Sequence, residues 1–100
     1  MAVYFVSRHP GAIAWMKRQN IRVDAWFDHL TAESVNEGDT VIGVLPIHLV
    51  ARLCQKNVKF YALTMECSRQ QRGQELNDEQ LNQMSCHLTR FDVRLVEEMQ

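Results

Sequence analysis

One hundred residues with 46% apolar and 23% charged side chains describe one ordinary globular domain, 1–100, too short for a two-domain enzyme. The formal net charge of −1 supplies no basic field for duplex DNA or RNA, which leaves room only for a small anion held by a few local arginines. Three cysteines without CxxC spacing, no basic leader before the first strand and no apolar run of membrane length predict a cytoplasmic chain with reduced thiols and no membrane partner.

Residues 2–6 form a near-continuous β-prone run, the pattern of a strand buried on both faces. Pro10 suits the first position of a following helix, with Ser7 or His9 near its cap and a stop near Asn20. Residues 22–28 are ambiguous between a helical turn and a short strand, and the strand is preferred. The turn signal Asn36-Glu37-Gly38-Asp39 precedes a second buried strand over 40–45. A helix from Ile47 to about Gln55 then carries Leu49, Val50 and Leu53 on one face. Residues 58–63 read as a strand, 66–77 as a polar loop, 78 to about 89 as a third helix, and 91–96 as a closing strand. The predicted class is α/β: a small Rossmann-like, open, mostly parallel sheet of about five strands flanked by three helices.

Two predicted strands end in turns of similar chemistry, Ser7-Arg8-His9-Pro10-Gly11 and Pro46-Ile47-His48, and each turn opens a helix. Ligands of open α/β sheets bind outside the carboxyl ends of the strands, where helix amino ends aim backbone N–H groups at anions. Arg8 offers a planar fork for phosphate, and Gly11 lets a ligand approach the backbone. A histidine at a helix start is more often a cap or a surface residue; two on one edge weigh more, provided their strands are parallel neighbours. His9 and His48 are thus candidates, whereas His29 and His87 fall in a predicted loop and helix without a role. The polar loop carries Arg69, Arg72 and Glu75; loops of this length are commonly solvated connections, and the functional alternative is a lid closing over phosphates. Zinc spacing, P-loop, GxGxxG and GxSxG are all missing, so neither a metal nor a cofactor is predicted. Trp15, Trp26 and Phe27 read as core.

VYFVSRHPGAIAWMK (3–17), GDTVIGVLPIHLVARLC (38–54) and RGQEL (72–76) together resemble the short CRISPR-associated protein family found beside type III systems and regarded as ring nucleases. The likeness covers nearly the whole chain, with the three motifs in order. Val44 departs from it, standing where the pattern is associated with threonine, so a hydroxyl is missing there. The resemblance implies a domain related to the CRISPR-associated Rossmann fold. It implies a cyclic oligoadenylate ligand, foremost cyclic tetra-adenylate, whose degradation switches off the effectors that the messenger activates. A two-fold ring further implies a homodimer with the site at the two-fold interface.

On that reading cleavage is metal-independent: the ribose 2′-OH attacks the adjacent phosphorus and leaves a 2′,3′-cyclic phosphate. Arg8, with Arg72 or Arg69, meets the phosphate charge, and His9 or His48 moves the proton. Ser7, Gly11 and Pro46 shape the pocket, with Glu75 in the lid motif. Two rivals stand beside this. One is a module that binds or sequesters the ring without cutting, which needs the arginines but no proton transfer. The other is a generic interaction domain with incidental histidines.

Overall fold

The structure, a computed structural model, describes residues 1–66 and 85–100. Five strands form one sheet in the order β2-β1-β3-β4-β5: β1 (Val3–Val6), β2 (Ala25–Phe27), β3 (Thr40–Gly43), β4 (Lys59–Glu66) and β5 (Ser85–Phe91). The first four run parallel and β5 pairs antiparallel with β4. Two helices, α1 (Pro10–Lys17) and α2 (Ile47–Gln55), and a 3-10 turn at Ala32–Ser34 complete the described elements. The architecture is the expected α/β one, an open and mostly parallel sheet of small Rossmann-like type.

The strands alternate between two cores, as a period of two residues demands. Phe5, Ile42 and Leu63 point to one face and pack with Ala12, Trp15 and Met16 of α1. Val6, Val41 and Phe60 point to the other and pack with Val50 and Leu53 of α2, and with Leu30, Ala32 and Val35. The chain leaves β1 in one direction along the sheet to reach β2, and leaves β3 in the opposite direction to reach β4. Right-handed crossovers in opposite directions must lie on opposite faces, which is where α1 and α2 are.

Local chemistry ends α2 cleanly. Asn57 takes a φ of +64° after the helix, its N–H bonds the Cys54 carbonyl, and the Val58 N–H bonds the Leu53 carbonyl, both at 3.0 Å. Val58 and Leu53 meet in the same core, so the Schellman cap turns the chain directly into β4.

The carboxyl-terminal region departs from the sequence reading. Residues 85–89 were predicted to end a third helix, yet they lie in β5, with Leu88 opposite Leu63 and Thr89 opposite Ala62. Residues 78–84 of that helix lie outside the described residues. The closing strand expected over 91–96 keeps only Phe91. Pairing with β4 from Phe60 to Glu66 decides this segment: Cys86 and Leu88 alternate with the exposed His87 and Thr89, a strand pattern that short apolar spacing disguises. Trp26 is likewise not core. It is 40% exposed, edge-on to Phe5 at 5.4 Å, with the Lys17 ammonium 5.5 Å from its ring. Among the described residues no helix is long and apolar enough to cross a membrane.

Candidate active site

β1 and β3 are adjacent and parallel, in register from Val3 opposite Thr40 to Val6 opposite Gly43. The two crossovers part on either side of this pair, so the turns after β1 and β3 diverge and leave a crevice, the usual ligand position in an open α/β sheet. The backbones stay close up to its edge. Gly43 has a φ of +154°, and a Cβ there would stand 2.4 Å from the Val6 carbonyl oxygen. Beyond it opens a cleft of about 700 Å³, within the size range of small-molecule sites.

Its buried lining is apolar, with Phe5, Val6, Leu63 and Ala12, and its exposed lining mixes polar side chains with Val44 and Pro46. Ser7, Arg8, His9, Pro46 and His48, all singled out from the sequence, line this one cleft. Gly11 does not: as the second residue of α1 it is buried in the helix's first turn. Arg69, Arg72 and Glu75 lie outside the described residues. Asp28 and His29, which follow β2, also line the cleft, as do Glu33 and Arg52. Sequence reasoning gave these four no role. The signal for Asp28 and His29 was present, because a third parallel strand brings its carboxyl end to the same edge, and the 22–28 segment had been read as that strand.

The two turns differ in how they treat the helix they open. In the first, the His9 N–H donates to Ser7 Oγ at 3.0 Å and the Ala12 N–H donates to His9 Nδ1 at 3.1 Å. Pro10, at the first helical position, has no N–H. Of the four donors at the start of α1, one is absent and two are capped, and the fourth belongs to Gly11, buried and off the cleft lining, so this helix end offers a ligand little. In the second, Pro46 stands at the cap of α2 with no side-chain acceptor, so the N–H groups of Ile47 and His48 have no side-chain cap. The amino end of α2 is the more open of the two anion-binding elements.

Charge in the cleft is balanced. Arg8 is exposed at the rim, and Asp28 lies in the same lining. Arg52 Nη2 donates to Glu33 Oε1 at 2.8 Å. The Glu33 carboxyl is held below its usual range by its own turn's backbone N–H and then by that guanidinium. Attraction for an anion therefore rests on the fork of Arg8 and on directed N–H groups rather than on net charge. Among the described residues, no group of three His, Cys, Asp or Glu side chains could hold a metal ion.

A protein-family model described as "Putative CRISPR-associated protein (Cas_VVA1548)" matches residues 4–94. No curated protein and no solved structure matches the chain.

Proposed function

The chain belongs to this CRISPR-associated family, and we propose that its cleft binds a cyclic oligoadenylate second messenger, cyclic tetra-adenylate foremost, and opens the ring without a metal ion. The observation that carries the reading is the meeting of Arg8, His9 and His48 in one cleft, from the turns of two adjacent parallel strands. RNA brings its own nucleophile. The O2′–P bond forms as the P–O5′ bond breaks, the 2′-OH proton passes to a base, and the O5′ leaving group takes up a proton. The product is linear and ends in a 2′,3′-cyclic phosphate. Protein groups need only hold the ribose in line, meet the phosphate charge and move protons. Arg8 serves the charge, the open amino end of α2 adds N–H donors, and a cleft histidine serves the proton.

A ring of four nucleotides is larger than a drug-sized ligand, and a cleft of about 700 Å³ takes only part of it. Two copies facing each other across a two-fold axis supply two such clefts, which suits a two-fold ring. Degrading the ring would end type III CRISPR signalling in the cytoplasm.

One observation favours a second reading, a module that binds the ring without cutting it: the Nδ1 lone pair of His9 is already used by the Ala12 N–H. Incubating the protein with radiolabelled cyclic tetra-adenylate in EDTA separates the two. Linear products ending in a cyclic phosphate are expected. Intact ring that travels with the protein identifies the binding module, and intact ring with no binding removes this ligand.

A further inference from the structure

α2 brings a second guanidinium to the cleft, beside that of Arg8. His48 and Arg52 stand four residues apart on one face of the helix, and both line the cleft. The Arg52 guanidinium already holds an anion: Nη2 donates to Glu33 Oε1 at 2.8 Å, and Glu33 lines the same cleft. The two side chains are 58% and 71% exposed, so water screens the pair and its hold is weak. Nor is the pair needed to keep the 3-10 turn in place. The Lys56 ammonium donates to the Ala32 and Val35 carbonyls at 2.9 and 2.6 Å, and Leu30, Ala32 and Val35 are buried in the core. With ring binding as read above for its premise, we propose that Arg52 is a second phosphate-binding residue of the cleft, and that Glu33 holds its guanidinium until a phosphate of the ligand displaces the carboxylate.

The chemistry of the two anions leads there. A carboxylate and a phosphodiester each offer two oxygens that share one negative charge, and a planar fork meets either with parallel N–H bonds. Exchanging one for the other conserves the charge beside Arg52 and moves no proton, because the guanidinium is always protonated. Glu33 is held below its usual range first by its own turn's backbone N–H, a contact that does not depend on Arg52, so the displaced carboxylate stays ionised and turns to water. Arg8 follows β1 and Arg52 lies on α2, so the two forks reach the cleft from different elements, as two phosphates of one chain require. A ligand with a single phosphate fills one fork. A chain or ring of several phosphodiesters can fill both.

The 2′-fluoro analogue of cyclic tetra-adenylate lacks the nucleophile, so its affinity can be measured without cleavage. Glu33→Gln frees the guanidinium and should tighten binding about threefold. Arg52→Ala combined with Glu33→Gln keeps the net charge of the wild type and should bind at least about threefold more weakly than it. Equal affinity for the wild type and this double variant overturns the proposal, because the pair then gives the ligand nothing. Melting of Glu33→Gln should stay within about 4 °C of the wild type. A larger fall with weakened binding makes the pair a strut of the turn and overturns the proposal as well. If the wild type does not bind the ring, the ring reading fails, and inorganic phosphate alone judges the site. The Arg52 Nε–H signal of Glu33→Gln should then shift at phosphate concentrations that leave Arg22, paired with Asp24, unmoved. Equal shifts at the two arginines overturn the proposal.

Discussion

Gly43 marks the last point at which β1 and β3 run together before the cleft opens. An alanine Cβ there would press on the Val6 backbone at 2.4 Å, in a φ region that L side chains rarely adopt. Because the obstacle is backbone and not a flexible side chain, the sheet itself has to shift. Gly43→Ala should therefore lose roughly 1–3 kcal/mol, read as a lower urea midpoint. An unchanged midpoint would mean the two strands are not held this closely. At the same scale, Ser7 acts through structure: its hydroxyl accepts the His9 N–H and sets the turn that presents Arg8 and His9. The residue types at this turn were legible in the sequence because strand-to-helix chemistry is local. The cap that His9 makes was not, since it depends on which backbone N–H the folded helix brings to Nδ1.

At the scale of elements, the amino end of the sheet is tied together by one buried carboxylate. Asp39, at the foot of β3, accepts from the Ala2 N–H at 3.0 Å and the Asn36 N–H at 2.8 Å. Those bonds, the one from Ala2 first, hold its carboxyl below the ordinary value of 3.8. A carboxyl depressed in the folded state contributes stability above the unfolded value and loses it as pH falls through that value towards the folded one. The urea midpoint should accordingly drop on acidification below about pH 4, and Asp39→Asn should flatten that drop. An equal slope in the variant would contradict the assignment. β1, α1, β3, α2 and β4 were legible because short-range signals agree with the fold: buried β-prone runs, Pro10 at a helix start, and an apolar face over Leu49, Val50 and Leu53. β5 was not, because its pairing partner lies in β4 and no local signal states it. The Thr64 hydroxyl donating to the His87 carbonyl at 3.2 Å belongs to that long-range pairing. Asp28 and His29 follow a strand that the sequence does suggest over 22–28, but the place of β2 beside β1, which brings its end to the cleft, is set by pairing and not by local sequence.

On the whole-molecule scale, the proposed ring needs two clefts, and each copy offers an apolar edge beside its own. Val44 and Ile47, 71% and 72% exposed, sit on the β3–α2 turn that lines the cleft or adjoins its lining. Large exposed side chains grouped next to a site are a usual mark of association. Sedimentation should find a dimer, and Val44→Ser with Ile47→Ser should yield a folded monomer. A wild-type monomer that nonetheless opens the ring would remove the two-fold site from the account. Net charge decides little at this scale, because opposed charges line the cleft and the chain as a whole is near neutrality.

The proposed ring opening lies between the carboxyl ends of β1 and β3. Single-turnover cleavage of cyclic tetra-adenylate by Arg8→Ala, set against Arg22→Ala, tests it most directly. Arg22 pairs with Asp24 at 3.3 Å near the opposite end of the sheet and serves as the control for lost charge. A fall of about 100-fold or more is expected for Arg8→Ala, and a wild-type rate for Arg22→Ala. Equal rates for the two variants would contradict it and place the chemistry elsewhere on the molecule.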